Sequence, residues 1–201
     1  MAEIASLEIA DPPALWTRLG FAVGAGMTWS SGTCLRLGAP GLGVVAWSLR
    51  GVHALTEVPT SDSTVPPVPP EPHHPNGVIA LDHVVISTPH IERTVAAFGA
   101  AGIPLRRTRQ AGTPAEPRTQ AFFKLGDTVI EIVGSPTSHS PGPARFWGLT
   151  FTVADLEATT AFMGQQLRPS KVAVQRGRRI ATLDRAVGSS VPMAFMSPKP
   201  Q

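Results

Sequence analysis

Two ionisable residues stand in the middle of otherwise apolar, strand-like stretches. Residues 81–87 read L-D-H-V-V-I-S, with His83 inside, and residues 128–133 read T-V-I-E-I-V, with Glu131 near the centre. Burying an imidazole or a carboxylate costs several kcal/mol, roughly, unless the group is hydrogen-bonded, ion-paired or bound to a metal. A base and an acid so placed suit three kinds of chemistry. They hydrogen-bond each other in a closed sheet, with Lys124 as the carboxylate's diagonal partner; they hold a divalent ion; or they work without metal as an acid–base pair or ligand anchor. The residue types alone leave all three open.

Strand alternation extends the set. Leu81, His83 and Val85 share one face, Val84 and Ile86 the other, and Asp82 falls on the second. If Gly126-Asp127 is a two-residue hairpin turn, Phe122 lies opposite Glu131 and Lys124 opposite Val129. Gln120, Phe122 and Lys124 then join His83 and Glu131 on one face. Phe123, Leu125, Ile130 and Ile132 make an apolar reverse side for a helix to cover.

The elements that position these residues recur along the chain. H-I-E-R-T-V-A-A-F (90–98) aligns with D-L-E-A-T-T-A-F-M (155–163), each an amphipathic helix after a strand and before three further strand candidates. Thr88-Pro89 predicts an N-cap and first turn for the earlier helix, and Gly102 its end. The later strands are expected at 104–109, 119–125 and 128–133, then at 170–175, 179–183 and 191–196. A shorter version opens the chain: a strand in 7–12, a helix at 14–19, then strands in 33–38 and 43–49. The expected organisation is a short N-terminal βαβββ module over 1–51, a proline-rich linker over 52–78, and two further modules, 79–136 and 145–199, that pair with each other. The fold class is α+β, tandem βαβββ modules forming a curled mixed sheet, a cup, with helices outside.

A tandem of such units that begins L-D-H-V-V-I and closes T-V-I-E-I-V resembles the vicinal oxygen chelate superfamily, which includes glyoxalase I, bleomycin-resistance proteins and extradiol dioxygenases. The resemblance implies a ligand inside the cup, often on a divalent metal held by residues of the first and last strand of each module. His83 and Glu131 fall on two such positions. In the last module the counterparts are Gly148 and Met193, and in the first Ser6 and Trp47, none of which suits a hard divalent ion. The implied function is a glyoxalase-like protein binding a small organic molecule, as a metal-assisted lyase or dioxygenase with one Zn, Ni, Mn or Fe ion at His83 and Glu131. The alternative is a metal-free binding or sequestering protein of the bleomycin-resistance type. Both assign catalysis or anchoring to His83 and Glu131. Both give the ligand wall to Gln120, Phe122, Lys124, Phe146, Trp147, Thr150, Ile180, Thr182 and Met193.

Composition narrows the partners. The 201 residues are 42% hydrophobic and 15% charged, with net charge +3. Arg106, Arg107 and Arg109, and Arg176, Arg178 and Arg179, form short groups rather than a dense basic face, so nucleic acid is not expected as a partner. Arg178 and Arg179, after Gly177 at an expected hairpin, read as solvated turn charges, with an anion-binding lip as the alternative. No apolar run reaches the ~18 residues of a membrane helix. The opening M-A-E-I-A-S-L-E-I lacks a basic and apolar leader, and Cys34 is the only cysteine, so a cytoplasmic protein without disulfides is expected. Cys34 reads as a packed hydrophobe. His53, His73, His74 and His139 read as loop histidines. A single module exposes an open sheet face, so the N-terminal one is expected to pair with its copy in a homodimer or to fold over the cup.

Overall fold

The computed structural model describes residues 2–52, 55–61 and 72–200. The chain runs β1 (Glu3–Ile9), α1 (Pro13–Arg18), β2 (Met27–Ser30), β3 (Thr33–Leu37), β4 (Val44–Arg50), β5 (Val78–Ser87), α2 (Ile91–Ala100), β6 (Arg107–Gly112), β7 (Pro117–Leu125), β8 (Thr128–Gly134), β9 (Arg145–Val153), α3 (Leu156–Met163), β10 (Lys171–Val172), β11 (Arg179–Thr182) and β12 (Met193–Met196). The proline-dense centre of the linker, 62–71, and His53 lie outside the described residues.

An eight-stranded curled sheet has the order β10-β11-β12-β9-β5-β8-β7-β6. Its centre is mixed: β5 runs parallel to β8 and antiparallel to β9, and β12 runs parallel to β9. The Gly126-Asp127 turn pairs Phe122 with Glu131 and Lys124 with Val129, the register a two-residue loop requires. Phe123, Ile130, Ile132, Phe151 and Phe195 are fully buried on the helix side. Phe123 packs on Phe98 of α2, and Phe151 and Phe195 on Phe21, which leaves the opposite, concave face for polar side chains.

The helix caps differ in detail from the sequence expectation. His90 caps α2, its Nδ1 accepting from Arg93 N at 3.3 Å. Thr88 is taken up instead by Thr94 Oγ1 at 2.7 Å and by the His90 N–H at 3.1 Å. Asp155 caps α3 through the N–H groups of Glu157 and Ala158. Strand β6 starts later than residue 104, where Pro104 has no ladder donor to give. Strand β10 is cut to two residues because 173–178 turn inward, and β2 has no counterpart in the sequence reading.

Two of the three irregularities in the central pair re-aim side chains at the site. Leu81 pairs with Phe151 and His83 with Thr150, so Asp82 is an extra residue. Leu81 therefore joins the apolar helix side instead of sharing a face with His83, and Asp82 comes round to the concave side. Likewise Val85 pairs with Gly148 and Ile86 with Phe146, which makes Trp147 the extra residue. Phe146 turns to the helix side and packs on Trp47, ring centroids 5.2 Å apart.

The N-terminal strands form a separate sheet, order β2-β3-β1-β4. Its apolar side carries Leu7, Ile9, Leu35 and Trp47, with Leu15 and Trp16 of α1, all buried in one core with the large sheet. Phe21 and Trp16 meet Phe151 at 5.2 and 6.1 Å, and Trp47 meets Phe98 of α2 at 6.2 Å. Asp11 ties the two sheets, accepting from Ser190 N at 2.8 Å and Ser189 Oγ at 2.6 Å. The small sheet thus covers the convex side of its own chain, not the opening of the cup. The open apolar face that pointed to a partner copy is closed internally.

The ends of the linker are pinned. Trp47 Nε1 donates to Thr60 Oγ1 at 2.9 Å. His74, expected in a loop, is buried; its Nδ1 accepts from Ala22 N at 3.0 Å and its Nε2 lies 2.9 Å from Trp29 O.

Candidate functional site

The extra residue in β5 creates the site. Asp82 and His83, neighbours that strict alternation would send to opposite faces, both reach the concave side. Asp82 Oδ1 lies 2.5 Å from His83 Nδ1, a close contact that an Nδ1–H would serve. Asp82 Oδ2 accepts from Arg178 Nη2 at 2.6 Å and from Thr152 Oγ1. Arg178 is 3% exposed, and its Nε donates to Ser197 O at 2.7 Å. Burial pushes the Asp82 carboxyl up, but its bonds to His83, Arg178 and Thr152 outweigh that and hold it well below the usual carboxylate range.

Arg178 is not a solvated turn charge. The segment between β10 and β11 closes on itself, Ala173 N bonding Arg178 O at 2.9 Å and Arg178 N bonding Gln175 O at 3.1 Å. Gly177 takes φ 74°, and a built Cβ there would meet Pro200 Cγ at 2.6 Å, so only glycine lets the turn pass under the C-terminal segment. The turn delivers Arg178 to Asp82 and brings Gln175 Nε2 to 3.4 Å from His83 Nε2. With an amide donor facing Nε2 and a carboxylate facing Nδ1, the ring is read as the Nδ1–H tautomer, its Nε2 lone pair turned to the interior.

That interior is a cavity of about 510 Å³. Asp82, His83, Thr152, Gln175 and Arg178 form polar walls, and Phe122 and Val129 apolar ones. The Arg107 guanidinium lies 4.4 Å from the centre of the Phe122 ring. A second cavity of about 280 Å³ lies beside β9 and β12, with Trp147, Thr150, Thr182 and Met193 in its walls.

The expected site residues divide accordingly. His83, Phe122 and Lys124 line the larger cavity, Lys124 pairing with Asp127 at 3.1 Å and not with Glu131. Trp147, Thr150, Thr182 and Met193 line the smaller, Trp147 standing 59% exposed. Gln120, Glu131 and Ile180 line neither, and Phe146 lies on the far side of the sheet. Glu131 is half-buried beside Val85 and is held by Gln120, whose Nε2 donates at 2.5 Å and whose Oε1 accepts from Arg109 Nε at 2.7 Å. Burial raises the Glu131 carboxyl above its ordinary range, against the lowering pull of His83, Arg109 and Gln120. The ring contacts of His83 are to Asp82 and Gln175; Glu131 is not among its bonded partners.

The donor set does not fit a divalent ion held in the manner the superfamily implies. His83 offers a single free ring nitrogen, Nε2, and both Asp82 oxygens are committed, one to His83 Nδ1 and the other to the Arg178 guanidinium. The parallel β9–β12 register puts Ala194 beside Thr150, as Glu131 stands beside Val85, so Ala194 rather than Met193 is the counterpart. Neither brings a suitable donor. At Gly148 a built Cβ would meet Pro192 O at 2.6 Å, which leaves no room for a ligating side chain. Among the described residues, no three His, Cys, Asp or Glu side chains converge for a metal.

Asp82, Thr152, Gln175 and Arg178 were not singled out as site residues from sequence. Alternation sends Asp82 away from His83, and Arg178 lies 96 residues from its partner. No local signal announces either.

Two βαβββ units form one curled sheet, with polar side chains inside and helices outside, the cup that the sequence resemblance implies. One solved structure shares this fold over nearly the whole chain, and others are similar to part of it. A triple mutant of 4-hydroxymandelate synthase from Streptomyces coelicolor matches with TM-score 0.66 over 99% of this chain and 93% of its own, at 13% identity. Methylmalonyl-CoA epimerase from Mycobacterium tuberculosis matches 62% of this chain and 91% of its own at 16% identity, with TM-score 0.48. The Streptomyces coelicolor methylmalonyl-CoA epimerase in complex with 2-nitronate-propionyl-CoA covers 61% and 99% at 16% identity, with TM-score 0.48. No family model and no curated relative matches the sequence. At such identities the likeness establishes the fold and no activity. No helix of the described residues is long and apolar enough to cross a membrane.

Proposed function

We propose that the chain binds a small organic molecule in the larger cavity and takes a proton from it with His83. The observation that carries this reading is the orientation of one ring: Nδ1 held against the buried, ionised Asp82, Nε2 turned to the cavity. In the step, a C–H or O–H bond of the ligand breaks, the proton moves to Nε2, and the electron pair stays on the ligand. Asp82 stabilises the imidazolium that forms, and Arg178 and Thr152 keep the carboxylate in place. Proton transfer to a positioned group of this kind contributes about 10²–10⁴-fold in rate. Metal-assisted lyase or dioxygenase chemistry is not carried over, because the donors that would hold the ion are not assembled.

The test is solvent exchange. Protein is incubated in D2O with a panel of 2-oxo acids and 1,3-dicarbonyl compounds, and loss of the acidic C–H signal is followed by proton NMR. His83→Gln is expected to slow exchange by about 100-fold or more. Exchange at the wild-type rate in that variant refutes the assignment. A second reading, a binding protein that does no chemistry, is favoured by Gln175, whose amide already faces the same nitrogen. It predicts saturable binding of panel members with no exchange above background.

A further inference from the structure

The walls of the larger cavity carry an uneven charge. Five cationic side chains, Arg106, Arg107, Lys124, Arg178 and Lys199, stand there against two carboxylates, Asp82 and Asp127. Both carboxylates are committed, Asp82 to Arg178 at 2.6 Å and Asp127 to Lys124 at 3.1 Å. No carboxylate among the described residues lies within ion-pair distance of Arg106, Arg107 or Lys199, and Glu131 feels Arg107 only at longer range. Arg106 and Arg107 stand at the entry to β6 and Lys199 in the C-terminal segment, two parts of the chain far apart in sequence that both line this cavity. Arg107 is also oriented, its guanidinium lying over the Phe122 ring. Like charges gathered at one cavity mouth repel one another, an arrangement that an anion relieves.

We propose that the ligand of this cavity carries an oxyanion group, a carboxylate or a phosphate, seated among Arg106, Arg107 and Lys199, with its apolar body against Phe122 and Val129. This rests on the reading of the cavity as the binding site and adds the class of its ligand. Guanidinium groups suit either oxyanion, since both offer paired oxygens to the planar fork. The division of labour is spatial: the anion is fixed at the mouth, and the acidic bond is presented to His83 below.

The experiment is calorimetric titration of the full chain with three probes that share a phenyl body: benzoate, phenylphosphonate and neutral benzyl alcohol. At least one anion is expected to bind about tenfold or more tightly than the alcohol, and to weaken as salt rises. The tighter of benzoate and phenylphosphonate identifies the oxyanion. Arg106→Gln/Lys199→Gln is expected to lose about tenfold in anion affinity, the scale of a hydrogen bond to a charged group. Arg118→Gln, on an exposed arginine outside the cavity, leaves affinity unchanged. Equal affinity for anion and alcohol, or full affinity in the double variant, overturns the proposal, as does the absence of measurable binding by either anion. His83→Gln separates the two readings. Retained anion binding with lost exchange supports both; retained exchange in that variant overturns the proton acceptor alone; lost rim dependence overturns the anion site alone.

Discussion

Replacing Asp82 with Asn keeps the shape of the side chain and removes its charge. The amide can still accept one bond, but Arg178, 3% exposed, is left as a buried cation without an anion. Breaking a buried pair from one side costs about 3–5 kcal/mol, because the surviving charge keeps its desolvation penalty. For a chain of this length that is a fall in Tm of about 6–20 °C, at about 2–4 °C per kcal/mol. Urea denaturation at pH 7 of Asp82→Asn, Arg178→Met and the double variant supplies the assay. The double variant leaves neither charge alone, so its loss is expected to be smaller than the sum of the two single losses by about 1–3 kcal/mol. The pH dependence has a definite sign. The folded carboxyl lies below its ordinary value of 3.8, so its contribution is present above about pH 4 and is lost as the pH falls through and below that. The gap between wild type and Asp82→Asn should therefore narrow in acid. A single-variant loss below about 1 kcal/mol, the range of exposed pairs, would refute the reasoning, as would strict additivity.

Glu131 behaves in the opposite sense. Its folded carboxyl is raised by burial, so wild-type stability gains as pH falls through the folded value, and Glu131→Gln should be unchanged or more stable at pH 7 with the advantage lost near pH 4, read by the same urea curves. Gly148→Ala should cost about 1–3 kcal/mol in urea midpoint stability, since the new Cβ meets the Pro192 carbonyl at 2.6 Å. His74→Ala removes contacts to Ala22 and Trp29 and should cost about 1–3 kcal/mol, with faster proteolytic cleavage after residue 72 than in wild type. Gln175→Ala removes the amide facing His83 and should speed modification of that ring by diethyl pyrocarbonate, followed at the single-residue level by mass spectrometry.

What was legible in the sequence rests on local rules. The Gly126-Asp127 turn dictates its register, so Phe122 opposite Glu131 follows from loop length alone. The 3.6-residue pattern of Ile91, Val95 and Phe98 places α2 on the apolar side of the sheet, and His83 on the other. Legibility ends where one residue is inserted into a strand. The extra residue at Asp82 converts an apparent reverse-face carboxylate into the partner of His83, and the one at Trp147 sends Phe146 out of the cup. Nothing in L-D-H-V-V-I-S distinguishes the regular strand from the bulged one. Arg178 was equally hidden. It follows a glycine in a short charged turn, and only the fold of residues 173–200 reveals that the turn points inward. The small N-terminal sheet raised the opposite difficulty. Its apolar face was visible in Leu7, Ile9 and Trp47, but the surface that covers it belongs to residues 98, 151 and 195 of the same chain.

The proposed role of the cavity depends on the state of one imidazole. Long-range nitrogen–proton NMR of the full chain, labelled at histidine and assigned with His83→Gln, reports which ring nitrogen of His83 carries the proton. The expected ring carries its proton on Nδ1, with Nε2 facing the Gln175 amide and the cavity, and loses that preference in Asp82→Asn. A proton on Nε2 in the wild-type protein, or a tautomer indifferent to Asp82, would contradict that role.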